Sequence, residues 1–186
     1  MQIRSLITDM LDRVNIEPGT NMDLAINFII HGADATDEFQ VRAKGSQIEM
    51  HGELAESPMA VIDASEKTLQ SILDLGIDPV ELLMKLTIPS EAEKFKIPEI
   101  ESSLYVETGT TNGYPILFKI HTAGEKLYIT EGESFDNDIE IKIKPSFLPK
   151  LIEGDVNLAM ALLTGKIKIS NKRDLFQLLT KLGLTF

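Results

Sequence analysis

The stretch IEIKIKPSFLPKLIEGDVNLAMALLTGKIKIS, Ile139 to Ser170, decides the fold of this 186-residue chain. Ile139, Ile141 and Ile143 alternate with Glu140, Lys142 and Lys144, a period of two that puts isoleucines on one face of a strand and charges on the other. Pro145 ends that strand. From Phe147, Leu148, Leu151 and Ile152 the spacing becomes helical, and Gly154 is the residue type suited to the left-handed position beyond a helix. Asp155 can cap a second helix, Leu158 to Leu163, whose residues LAMALL are apolar on every side. Gly165 closes it, and KIKIS resumes the alternation. A helix with no polar side is either buried all round or bordering something apolar.

Working outward, a fainter copy of this order lies earlier in the chain. FQVRAKG, Phe39 to Gly45, and SQIEMHG, Ser46 to Gly52, read as an antiparallel hairpin turning at Lys44, Gly45 and Ser46. FQVRAKGSQIEM lies over FKIHTAGEKLYI with apolar positions in phase. Phe118 minus Phe39 and Gly124 minus Gly45 are both 79, while Gly154 minus Gly76 is 78, so one deletion separates the copies. Each hairpin leads to an acid-rich loop, a strand, a helix ending at glycine and a second helix. In the first copy these are MAVID, expected to be buried on both faces, then a helix capped by Ser65 with Leu69, Ile72, Leu73 and Leu75 inward, then a helix start at Asp78, Pro79 and Glu81.

The expected organisation is an N-terminal helix and turn over 1–21, a degenerate first repeat over 22–95, and a second repeat over 96–186. The helix of residues 2 to 14 carries the stripe Ile3, Leu6, Ile7, Met10, Leu11 and Val14, and a strand from about Leu24 to Ile30 follows it. Ile88 to Ile100 reads as the connection between lobes. Only the second copy continues into a strand and a terminal helix, NKRDLFQLLTKLG, with Leu175, Phe176, Leu178, Leu179 and Leu182 on a wide apolar face. Sequence leaves open whether the repeats are separate lobes or share one sheet.

The formal charge of −11 argues against a nucleic-acid binder. Residues 22 to 95 hold 14 acids and 5 bases, whereas residues 102 to 186 hold 10 of each. Lys142, Lys144, Lys166 and Lys168 would share one sheet surface if their strands pair, a site for transient contact with an anionic membrane. Cysteine is absent, which leaves the compartment undetermined, and no apolar run approaches the roughly 20 residues that span a bilayer; residues 2 to 14, carrying Asp9 and Asp12, are unlike a targeting peptide, so a cytoplasmic protein is expected.

In KPSFLPKLIEGDVNLAMALLTGKIKISNKRDLFQLL the strand, two short helices, T-G-K turn, alternating strand and terminal amphipathic helix resemble the sterol carrier protein type 2 domains. The closest correspondence is Leu163 to Ile169. The resemblance covers residues 102 to 186 and, through the repeat, 22 to 95 more faintly. It implies a mixed α/β (α+β) fold, with an antiparallel-rich mixed sheet covered by helices, and a hydrophobic cavity for sterols, fatty acyl chains or similar lipids.

No catalytic constellation is visible. His31, His51 and His121 form no metal-ligand spacing, His51 and His121 fall on the polar phase of their strands, and no dinucleotide or phosphate loop occurs. Asp34, Asp37, Glu38 and Glu131, Glu133, Asp136, Asp138 are expected in solvated loops between strands. Met50, Met59, Met84 and Met160 take apolar phases and read as adaptable core filler. Two functions remain. One is a non-catalytic lipid carrier or presenter, its ligand held by Leu148, Leu151, Ile152, Leu158, Met160, Leu162, Leu163, Phe176 and Leu179, with no metal and no cofactor. The other is a protein-interaction or self-association module whose cavity is filled.

Overall fold

Each alternating segment becomes a strand, and the two halves of the chain join edge to edge. The computed structural model describes residues 2–11, 23–75, 104–111, 114–124, 126–132, 139–152 and 158–171. In order these are α1 (Gln2–Leu11), β1 (Asp23–His31), β2 (Thr36–Lys44), β3 (Gln47–His51), β4 (Ala60–Ser65) and α2 (Glu66–Asp74). There follow β5 (Leu104–Thr111), β6 (Tyr114–Ala123), β7 (Lys126–Thr130), β8 (Ile139–Ile143), a 3-10 turn (Pro145–Phe147), α3 (Leu148–Ile152), α4 (Leu158–Leu163) and β9 (Ile167–Ile169). The fold is mixed α+β, dominated by one nine-stranded sheet of order β3-β2-β1-β4-β7-β6-β5-β8-β9.

The pairings of the first half recur in the second. β1 runs antiparallel to β2, β2 to β3, and β1 is parallel to β4; β5, β6, β7 and β8 pair in the same senses. Registers recur as well. Phe28 opposite Phe39 returns as Val106 opposite Phe118, Gln40 opposite His51 as Lys119 opposite Thr130, and Asn27 opposite Val61 as Tyr105 opposite Glu140. The halves are not separate lobes. β4 and β7 pair in parallel from Ala60 opposite Leu127 to Asp63 opposite Thr130, making one sheet of both. β9 closes the far edge, antiparallel to β8.

One face of the sheet carries the core. Phe28 and Phe39, both fully buried, stack with centroids 5.0 Å apart, and α1 covers them through Ile3 and Ile7. Arg4 extends from α1 over the Phe39 ring, its guanidinium carbon 4.8 Å from the centroid, and pairs with Asp37 at 2.6 Å. Cation–π contact and ion pair together set α1 on β2. Ser65 caps α2 as expected, accepting the Thr68 N–H. Its Leu69 and Leu73 join the first core cluster while Ile72 and Leu75 pack on the second, so one helix spans the junction of the halves. On the opposite face Asn27 is 95% buried. Its amide donates to the Ala55 carbonyl at 3.0 Å and accepts the Ala55 N–H at 2.9 Å, which fastens the β3–β4 connection over the sheet. That pairing satisfies both ends of a polar group that would be costly to bury alone.

Several expectations change. β4 is buried on one face only: Ala60, Ile62 and Ala64 are inside, while Val61, Asp63 and Ser65 are half-exposed, since the opposite face is only partly covered. Asp37 and Glu38 belong to β2, which starts at Thr36, because Arg4 supplies the charge that makes a strand position tolerable for Asp37. The helix starting at Asp78, the connection Ile88 to Ile100 and the terminal helix after Asn171 lie outside the described residues.

Candidate functional site

The region expected to hold a ligand is built where β8 turns into α3. Gly109 in β5 has φ +86°, and a Cβ there would stand 3.2 Å from Pro145 Cδ. Only glycine serves both demands, and it lets the 3-10 turn settle against β5. Leu148 is then driven into a cluster with Val106, Ile143, Ala161 and Ile167, all buried, with Phe118, Phe147, Leu162 and Ile169 packed around them. The T-G-K turn has a local cause. Gly165, at φ +67°, donates to the Leu162 carbonyl at 3.2 Å, and Lys166 N–H reaches the Ala161 carbonyl at 3.0 Å. This pair of bonds terminates α4 and aims the chain back along β8.

The expected ligand residues divide. Leu148 is buried and Leu162 half-buried on the same cluster. Met160 is 56% exposed and Leu163 82% exposed, which corrects the reading of Met160 as core filler. Residues 160 and 163 are one helical turn apart on α4, opposite the face that Ala161 turns inward, so the helix is not buried all round. Met50 and Met59, by contrast, pack against the first core cluster. Leu151 and Ile152 fall on α3 and Leu158 on α4. Phe176, Leu179 and Met84 lie outside the described residues.

β8 and β9 pair as the lysine pattern required, with Lys142 directly opposite Lys168 and Lys144 N–H directed at the Lys166 carbonyl. The ammonium groups are not uniform. Lys142 Nζ lies 2.8 Å from Glu107 on β5, and that hydrogen bond, with the carboxylate's charge, raises its pKa above the ordinary lysine value. Lys166 leans over the Phe147 ring at 5.1 Å from the centroid, while Lys144 and Lys168 stand exposed.

A polar cluster that sequence did not foretell lies at the carboxyl ends of the parallel strands β1, β4 and β7. His31 Nε2 donates to Asp63 at 2.7 Å, with Nδ1 3.2 Å from Thr36 Oγ1. The Ser65 N–H, at the start of α2, donates to Glu131 Oε2 at 2.6 Å. Partial burial works to raise the Glu131 pKa, but the hydrogen bonds from the Ser65 hydroxyl, the Ser65 N–H and the Thr68 hydroxyl, with the nearby His31, outweigh it and hold it below 4.5. In open sheets of this kind such an edge commonly receives a ligand. Here the chain's own carboxylate occupies the positive end of α2. His31 and Asp63 are 32 positions apart and Ser65 and Glu131 are 66 apart, so no local spacing announced them. Among the described residues no group of His, Asp and Glu is arranged to hold a metal ion.

Compared with known proteins, the chain matches no family model, no curated protein and no solved structure. No helix among the described residues is long and apolar enough to cross a membrane.

Because the folded Glu131 pKa is lowered, the unfolded chain takes up its proton first. The stabilisation is therefore complete above 4.5 and disappears as pH falls through the lower folded value. Glu131→Gln should cost about 1 kcal/mol near neutral pH, a figure held low by solvent screening. In urea unfolding the gap between the two proteins should close well below pH 4.5.

Proposed function

We propose that this chain binds a hydrophobic ligand, a sterol, fatty acyl chain or similar lipid, without catalysing a reaction, and carries or presents it. In this reading it is a duplicated module resembling the sterol carrier protein type 2 domains, and the second copy binds while the first is degenerate. The observation that carries the proposal is the division of α4. Ala161 and Leu162 continue the apolar cluster over the sheet, whereas Met160 and Leu163 extend the same apolar surface into solvent. An exposed leucine and methionine bordering a core give an acyl chain a place to enter, each buried methylene contributing roughly 0.8 kcal/mol. The recurring registers, and the order of strand, short helices, T-G-K turn and strand, support the family resemblance.

Leu163→Asp separates binding from folding. A side chain this exposed contributes little to stability, so the melting transition should stay within about 0.5 kcal/mol of wild type. Uptake of a fluorescent fatty acid should weaken about tenfold, the value of one lost apolar side-chain contact. Unchanged uptake would remove Leu163 from the site. If wild-type protein takes up no fatty acid and carries no lipid when purified from its own host, the filled-cavity interaction module becomes the better account.

Delivery would use the four lysines on and beside β8 and β9, Lys142, Lys144, Lys166 and Lys168. Each ammonium near an anionic surface contributes on the order of 1 kcal/mol, enough for brief docking of an otherwise acidic protein. Lys144, Lys166 and Lys168 carry most of this, since Lys142 has Glu107 beside it. Replacing all four by Gln should abolish co-sedimentation with liposomes containing anionic lipid and leave sedimentation with neutral liposomes unchanged. Equal co-sedimentation of both proteins with anionic liposomes would reduce the lysines to a solvated sheet face.

A further inference from the structure

The joint between β4 and β7 is of a kind that can repeat. β4 holds the same place in the first half as β8 in the second, and β3 the same place as β7. A parallel joint from one half to the next is heterologous, and nothing in its geometry closes it. Continued by the same rule, β8 would take on its outer edge the β3 strand of another molecule. β9 lies there instead, three residues long, antiparallel, with Ile167 buried.

Hydrogen-bond directions agree with this equivalence. The outward N–H of Ser65 at the end of β4 is met by Glu131, and that of Lys144, its counterpart beyond β8, is met by the Lys166 carbonyl. Glu140 N–H and carbonyl are both satisfied by Ser170. At the other end of the sheet, β2 and β3 are joined by a two-residue turn closed by Lys44 opposite Gln47. In an antiparallel pair the bonding direction alternates, so Ile48 and Met50 point their N–H groups away from β2, toward the edge that β3 forms among the described residues. Their counterparts, Leu127 and Ile129, occupy the strand that pairs with β4, and Leu127 N–H donates to Met59 across that joint at 2.9 Å.

We propose that β9 is an edge cap, and that the β8 edge it covers is a self-association surface whose occupant is β3 of a second copy of this chain. The 79-residue offset sets the register: Ile139 opposite Ile48, Ile141 opposite Met50, Lys142 opposite His51, with the apolar residues on the core face throughout. One rung opposes it. Glu140 falls opposite Glu49, and like charges directly across a sheet repel. The second copy also offers no equivalent of the Glu131 carboxylate, because the corresponding position is Gly52. β9, tethered within the chain at high effective concentration, therefore excludes β3 in the intact protein. Lys166 and Lys168 also place charge on the edge that β9 itself presents, a common guard against further pairing.

Lys168→Pro in the full chain removes the middle N–H of β9 and should release it. In sedimentation velocity the variant should then show a concentration-dependent mass of at least two chains, while wild type does not change. Adding Met50→Pro, which removes an outward N–H from β3 without touching its bonds to β2, should restore the wild-type mass. Adding Glu49→Gln should instead strengthen association. Should Lys168→Pro fail to fold, Ser170→Ala loosens β9 by removing only the hydroxyl that accepts Glu140 N–H, and should give the same change more weakly. If hydrogen exchange shows the Lys142 and Lys144 amides released in either variant while its mass stays at the wild-type value, the proposal fails. Association that survives Met50→Pro would overturn it equally, since it would not run through β3.

Discussion

The parallel joint between β4 and β7 is the constraint on which the rest of the structure depends. A sheet of β3-β2-β1-β4 alone would end in a central, Ala- and Ile-lined strand with unpaired peptide groups, an edge that folded proteins avoid leaving open. β7 supplies the missing partner through Leu127 N–H to Met59 and Glu131 N–H to Asp63, both at 2.9 Å. α2 then packs across the seam, with Leu69 on one cluster and Ile72 on the other, and Glu131 closes its amino end. The two halves are thus stabilised by one another, and Glu131 joins the cluster of His31, Asp63 and Ser65 only because they meet.

What was legible in the sequence was what is decided locally. The hairpin at Gly45, the Ser65 cap, the alternation of β8 and β9 and the turn at Gly165 all arise within a few residues of the signals that mark them. The single sheet was not legible, because a parallel pairing between residues some 67 positions apart leaves no mark in the periodicity of either strand. The His31–Asp63 and Ser65–Glu131 contacts were hidden for the same reason. α4 shows a different limit. LAMALL contains no polar residue to mark an outer side, so its phase could not be read, and the fold turns Met160, expected as core filler, outward together with Leu163.

That outward turn links the fold to the proposed activity. Ala161 is small enough to let α4 approach the sheet over Ile143 and Ile167, and the helical period then commits residues 160 and 163 to the other side. A chain carrying excess negative charge overall concentrates lysines beside this apolar edge. Lys166 and Lys168 flank and enter β9, the strand at the end of the sheet, so the proposed ligand entry, surface contact and control of self-association all converge on the segment from Leu158 to Ser170.

Native-state hydrogen exchange tests the central claim, that the two halves are one cooperative sheet joined at β4 and β7. The amides of Leu127 and Glu131, which bond across the joint, should exchange with the same free energy and denaturant dependence as the core amides of β1 and β6. Two separate sets of opening free energies, one for each half, with the joint amides exchanging more easily than either, would contradict it.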